Sequence, residues 1–239
     1  ADGQNPVNLT NSSSSDKYPS WSPDGTKIAY SSWNDYPFYY NEVCVMDADG
    51  SNKMTLTNSS YDSVGAPAWS PDGTKIAFVS NDFLGSREIY IAMADGTGIT
   101  QLTDNNVDED NIEWSPDGSQ IAFDNTHYVY IINADGTNET ALNDGDTDNT
   151  QEPKWSPDGT KLLCSSNRDG NWEVYVMNAD GTEQTNLSNN SFSFDINPAW
   201  SPDGLKIVFI SDRNNNTENI FTMNADGSIK YTERDIYNG

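Results

Sequence analysis

The chain has 239 residues, 34% apolar and 11% aromatic, and its 12 basic and 37 acidic side chains give a formal charge of −25. A field of that sign repels nucleic acid and anionic membrane surfaces, and it favours cations, cationic partners or plain solubility. No apolar run approaches the length of a membrane-spanning helix, so membrane insertion is not expected, and no signal-peptide pattern is seen.

The chain opens without Met, in the middle of a repeat, and reads as a processed or excised segment. Ala1-Asp2-Gly3 is the first copy of a word that returns at 48–50, 94–96, 134–136, 179–181 and 225–227. The segment 1–10 carries the pattern of a closing strand, with Leu9 and Thr10 in register with later Leu-Thr pairs. Next comes Trp21-Ser22-Pro23-Asp24-Gly25, repeated at Trp69, Trp114, Trp155 and Trp200 with spacings of 48, 45, 41 and 45 residues. Self-similarity at this period marks a repeat architecture.

Each repeat reads as four short strands. Strand A ends in the Trp, and Ser-Pro-Asp-Gly then makes a tight turn in which Pro presets φ and Gly supplies a positive φ. Strand B follows, as in Lys27-Ile28-Ala29-Tyr30. A variable loop leads to strand C, as in Glu88-Ile89-Tyr90-Ile91-Ala92, which ends in Ala-Asp-Gly. Strand D carries a Leu eight residues after the Ala, at Leu56, Leu102, Leu142 and Leu187. No window has the apolar spacing of an amphipathic helix.

The expected fold is all-β: a β-propeller of four-stranded antiparallel blades, five preferred and six possible if another chain supplies strands. Residues 1–239 form one domain, with 1–10 as the closing strand D and blades at about 16–57, 64–103, 109–142, 150–187 and 195–232. Glu233 and Arg234 stand where the last copy should carry Leu and Thr, so the N-terminal strand, pairing Asn5–Thr10 with Asn219–Asn224, is expected to close the ring. An intermolecular version of that pairing is equally allowed.

The motif WSPDG, followed by K-I-A-F and then I-Y-x-M-N-A-D-G-x-x-x-x-x-L-T, resembles the TolB-like family of WD-repeat-like β-propeller repeats. The resemblance covers the whole chain. It implies a propeller, of the kind used as periplasmic binding modules, protease-associated domains, lyases and cell-surface proteins. The member that names the family has six blades, against five Trp motifs here.

In an antiparallel meander the A–B and C–D turns share one face and the B–C and D–A loops the other. The turns are uniform, and their Asp side chains are expected to bond local backbone N–H groups. The loops vary, so binding is expected there. Trp33, Tyr36, Phe38, Tyr39 and Tyr40 crowd the first B–C loop, and Phe83, Phe192 and Phe194 fall in corresponding loops. Such aromatics can stack on a glycan or anchor a protein partner. Asp144, Asp146 and Asp148 alternate around Gly145 in the manner of a Ca²⁺ loop, without the full twelve-residue pattern. A second acidic cluster is Asp104, Asp108, Glu109 and Asp110. Three positions before each Trp stand Tyr18, Ala66, Asn111, Glu152 and Asn197, with one carboxylate among them. His127 has no second His or Cys to join it. Cys44 and Cys164 read as buried thiols. Asn-x-Ser/Thr acceptors for glycosylation stand at Asn8, Asn11, Asn58, Asn138, Asn186, Asn189 and Asn215.

The reading is a non-enzymatic extracytoplasmic module for protein interaction or self-association, able to build a filament or array by exchanging terminal strands. The alternative is a carbohydrate-binding or carbohydrate-active propeller using Glu152 or loop carboxylates, which would need a carboxylate pair across one sugar site.

Overall fold

A computed structural model describes residues 6–33, 41–57, 62–81, 85–125, 127–143, 149–214 and 217–228. Among them the regular structure is entirely β. The first sheet runs β1 (Ser15–Trp21), β2 (Lys27–Trp33), β3 (Asn41–Asp47), β4 (Met54–Thr55), in order. In the second, strand A is split into β5 (Asp62–Val64) and β6 (Ala68–Trp69), both pairing with β7 (Lys75–Asn81), followed by β8 (Arg87–Met93) and β9 (Thr100–Gln101). These strands and β10 (Asp110–Trp114) belong to a compact unit of residues 1–114 and 134–136.

The second unit takes in 115–133 and 137–239. Its first pairing is β11 (Gln120–Asp124), β12 (Val129–Asn133), β13 (Thr140–Ala141). A four-stranded sheet follows: β14 (Thr150–Trp155), β15 (Lys161–Ser166), β16 (Glu173–Asn178), β17 (Thr185–Asn186). The last sheet has three strands among the described residues: β18 (Asp195–Trp200), β19 (Lys206–Asn214), β20 (Thr217–Asn224). Every strand pairing among the described residues is antiparallel, as the repeat predicts.

β2, β3, β7, β8, β15 and β16 are buried along nearly their whole length because both faces of these strands are covered. In the first unit, Ala29, Val43, Val45 and Leu56 of one sheet meet Trp69, Ile76, Phe78 and Tyr90 of the next. In the second unit, Leu163, Val174, Val176 and Leu187 meet Ile207, Phe209, Phe221 and Met223. Fully burying each such side chain is worth roughly 1.5–3 kcal/mol, and this face-to-face packing holds the sheets together.

The Ser-Pro-Asp-Gly turn repeats atom for atom. Gly25 N donates to Ser22 O at 2.9 Å, closing the turn, and Ser22 Oγ donates to Asp24 Oδ1 at 2.6 Å. Asp24 Oδ1 also accepts Thr26 N at 3.0 Å, and Lys27 N donates to Ser22 Oγ at 2.9 Å. Ser70/Asp72, Ser115/Asp117, Ser156/Asp158 and Ser201/Asp203 reproduce the Ser–Asp bond. These donors, the serine hydroxyl first, hold all five aspartate carboxyls below their ordinary value, Asp158 at about 2. A folded pKa below the unfolded one gives stability that is present above about pH 4 and lost as pH falls through the folded values. The melting temperature should therefore hold from neutral pH to about pH 5 and drop between about pH 4 and 2. Asp158→Asn should flatten that acid limb; an unchanged limb would show the turn carboxylates to be irrelevant to it.

Strand A carries a feature absent from the sequence reading. Pro19, Pro153 and Pro198 have no N–H for the ladder, and the register shifts between Lys17 and Ser20, Gln151 and Lys154, and Ile196 and Ala199. The residue before each proline is left-handed: Tyr18 φ 53°, Glu152 φ 61°, Asn197 φ 53°. Asn111 has φ 49° without a following proline. Asn tolerates this backbone; Tyr and Glu do so only when held.

Residues 6–10, the described part of the expected N-terminal strand, form no β-ladder. Leu9 nevertheless packs against Ile28, Tyr30, Cys44 and Met46, and its backbone lies under Gly50. Leu56 lies under Gly96 and Leu187 under Gly227 in the same way, so Leu9 occupies a strand D leucine's place without a ladder.

Candidate functional site

Among the sequence candidates, Tyr36, Phe38, Tyr39, Tyr40, Phe83, Asp144, Asp146, Asp148, Asn58 and Asn215 lie outside the described residues. Trp33 ends β2 half-buried, with Lys17 Nζ 4.0 Å from its ring centroid. That face of the indole is therefore already occupied by a cation. Phe192 and Phe194 differ: they are 93% and 53% exposed on the loop between β17 and β18.

The loop that carries them is pinned from below by Glu173, the first residue of β16 and buried. Its carboxylate accepts Asn190 N at 2.8 Å, Asn171 Nδ2 at 3.1 Å and the Ser188 hydroxyl. Asn171 Nδ2 also donates to the carbonyls of Asn190 and Ser193. Ser193 N donates to Asn190 O, and Phe194 N donates to Asp212 Oδ1 at 2.8 Å. Below Phe194, Asp195 is fully buried and accepts Arg213 Nη2 at 2.8 Å, and the guanidinium lies over Phe209 and Phe221. The backbone is fixed at both ends while two aromatic rings face solvent. Such a loop has little ordering entropy left to lose on binding.

The first unit has a counterpart. Glu88 begins β8 buried, accepting the Ser86 hydroxyl at 2.9 Å and Asn105 N at 3.2 Å. Glu109 is buried too, accepting Thr103 Oγ1 at 2.7 Å and Asn105 Nδ2 at 2.6 Å. Arg87 pairs with Asp110 at 2.6 Å and sits 3.7 Å from Asp108. The carboxylates of 108–110 are thus tied to arginine, hydroxyl and amide groups. Burial pushes the Asp110 carboxyl upward even against Arg87. Among the described residues no group of three or more His, Cys, Asp or Glu is placed to hold a metal ion.

Glu152 is also engaged. Its carboxylate accepts Ser165 Oγ at 2.8 Å and Asn197 N at 3.0 Å, and the Asn197 amide, turned with its NH₂ inward, adds a donor 2.8 Å from Oε1. Its own N–H donates to Asp124 Oδ2 at 2.6 Å. The carboxylate ties the left-handed bulge of β14 to that of β18. His127 Nδ1 lies 2.6 Å from Asn149 Oδ1 and edge-on to Tyr128. Cys44 and Cys164 are buried free thiols, raised by burial, Cys164 to about 12.

Asn8, Asn11, Asn138 and Asn189 are exposed. Asn8 Oδ1 accepts Asn11 N at 2.9 Å, while Asn186 accepts Asn189 N at 2.8 Å and donates to Asp169.

The sequence reading missed the pinning glutamates. The signal was present: Glu42-Val43, Glu88-Ile89 and Glu173-Val174 each place a carboxylate directly before an apolar run. A charged residue at the mouth of a buried strand needs partners, and the adjoining loops supply them.

A model of the TolB beta propeller domain matches residues 1–152 and 129–238. Among solved structures, a protein described as a TolB from Agrobacterium tumefaciens superposes with TM-score 0.74 at 23% identity, covering 92% of this chain and 81% of that one. TolB from Acinetobacter baumannii gives TM-score 0.70 at 24% identity over 95% of this chain and 56% of its own. An oligogalacturonate lyase in complex with manganese gives 0.70 at 16% identity, over 89% and 62%. The chain thus spans well under two thirds of the Acinetobacter protein's length. Among curated proteins nothing matched.

Proposed function

Because this chain belongs to the TolB beta propeller domain family, we propose that it is a non-enzymatic, extracytoplasmic module for binding protein partners through its irregular loops. The observation that carries this is Phe192, almost wholly exposed on a loop whose backbone is fixed by Glu173, Asn171 and Asp212. An exposed aromatic on a preorganised loop is how binding hot spots are built. The engagement of Glu152 with Ser165 and Asn197 supports a tie between strands over an acid or base for sugar cleavage. Among the described residues, no helix is long and apolar enough to cross a membrane.

The test uses immobilised protein against an extract of exported proteins and, in parallel, a glycan array. Retention of a protein partner should weaken at least about tenfold on Phe192→Ala, with the melting temperature unchanged. Glycan retention alone would transfer the reading to carbohydrate recognition. Protein retention indifferent to both Phe192→Ala and Phe194→Ala would remove this loop from the site.

Self-association is a second reading within the same proposal. It is favoured by the three-stranded last sheet, whose β20 has no further strand beside it among the described residues. A strand offered by another copy could pair there, and repetition of that step would give a filament.

A further inference from the structure

We propose that the Phe192–Phe194 loop receives an arginine side chain of its protein partner, with the guanidinium stacked on Phe194 and paired with the Asp212 carboxylate. The inference rests on the protein-binding reading above and names the chemistry that the partner must present.

The loop sets exposed aromatic rings beside carboxylates. Phe192 and Phe194 flank Ser193, which is buried, so the backbone between the two rings is held down while the rings face solvent. Phe192 N donates to Asn190 Oδ1 at 3.2 Å. Half-buried Asp212 adjoins Phe194 on both sides of its peptide: Asp212 Oδ1 accepts Phe194 N, and Asp212 N donates to Phe194 O at 3.4 Å. Across β19 and β20, Ser211 faces Asn219 and Arg213 faces Thr217, so exposed Glu218 comes opposite Asp212. Cross-strand neighbours share one face of a sheet, and a second carboxylate thus joins the first. The positive charge next in sequence, Arg213, is committed to buried Asp195.

The same unit shows twice how this chain seats a guanidinium. Arg213 lies 5.3 Å and 4.9 Å from the ring centroids of Phe209 and Phe221, while its Nη2 is 2.8 Å from Asp195 Oδ2. Arg168 lies 4.5 Å from the ring centroid of Tyr175, whose hydroxyl donates to Asp169. Each case sets an arginine over an aromatic face with an aspartate beside it. Phe194 and Asp212 repeat the aromatic and the aspartate at the surface, where a partner can reach them. A planar guanidinium stacks on a ring and bonds a carboxylate at once, whereas a lysine ammonium is a more strongly hydrated point charge. The charge of −25 draws a basic segment toward the whole chain and speeds encounter. The rings decide where it settles.

The experiment titrates the nitrogen-labelled chain with a capped Gly-Ser-Gly-Arg-Gly-Ser peptide and follows the backbone amides by NMR. Parallel titrations replace the arginine by lysine or by citrulline, its neutral isostere. The arginine peptide should shift the amides of 191–194 and 212 saturably, the lysine peptide more weakly, and the citrulline peptide not at all. Phe194→Ala should weaken binding about two- to fivefold. Asp212→Asn keeps an acceptor for Phe194 N but loses the charge, and should weaken binding by about the same factor at low salt and less at high salt. Equal shifts from the citrulline peptide would overturn the inference, as would shifts spread over the acidic surface and unchanged by Phe194→Ala. A protein partner whose retention needs Phe192, yet ignores both Asp212→Asn and excess arginine peptide, would overturn it and leave the protein-binding reading standing. Retention indifferent to Phe192→Ala and Phe194→Ala would remove both.

Discussion

Glu173→Ala should cost about 3 kcal/mol of folding stability, because it leaves several donors without an acceptor in a site closed to water. Ser188, Asn190 and Asn171 all converge on this carboxylate. Glu173→Gln keeps the shape and one acceptor oxygen, and should cost roughly 1–2 kcal/mol. Urea unfolding monitored by tryptophan fluorescence measures both. Amides of 188–194 should also exchange faster with solvent in the Ala variant at denaturant-free conditions, since local opening of the loop no longer breaks bonds to Glu173. Equal stability of wild type and Glu173→Ala would mean that the loop is held by its neighbours alone. Binding through Phe192 would then owe nothing to preorganisation.

This pin shows where legibility in the sequence stops. The sheets themselves were plain. WSPDG and ADG occur often enough to align the repeats, and alternating turns with short apolar runs leave little choice but antiparallel four-stranded units. The turn chemistry was legible too, since Ser, Asp and Gly act within five residues of one another, as Ser22, Asp24 and Gly25 do. Phe192 and Phe194 could be placed in a loop, and exposure of the former follows from its polar neighbours. What could not be read was any arrangement that joins residues far apart in sequence. Glu152 meets Asn197 only because two strand A bulges face each other, 45 residues apart. Pro19, Pro153 and Pro198 stand inside such bulges, while Asn111 takes the same left-handed backbone with no proline after it. Leu9 stands in register with the strand D leucines and packs as one, but residues 6–10 lack the ladder that register alone suggests. Side-chain packing in that place does not require backbone pairing, and the apolar pattern carries only the first.

The closeness of neighbouring sheets sets the other large effect. Gly181→Ala should cost about 3 kcal/mol, against about 1 kcal/mol for Gly170→Ala. Both glycines are left-handed, at φ 82° and 103°, so the backbone penalty is similar at the two sites. Around Gly170 there is nothing within 4 Å of an added Cβ. At Gly181 that Cβ would stand 2.7 Å from the carbonyl oxygen of Leu142 and 3.1 Å from its Cα, both backbone atoms of the adjoining strand. The carbonyl cannot swing away freely, because it accepts Gln184 Nε2 at 2.8 Å, and the same amide donates to Gly181 O at 2.9 Å. Relief therefore means either separating Leu142 from the core it helps to fill or breaking both bonds of Gln184. Adding Gln184→Ala to Gly181→Ala should recover part of the loss, since the carbonyl is then free to tilt. Chemical denaturation of the two single variants and the double variant would resolve the contributions. If alanine at 170 and at 181 were equally costly, the glycine of the ADG word would be conformational only, and the close approach of strand D beneath it would play no part in why that glycine recurs.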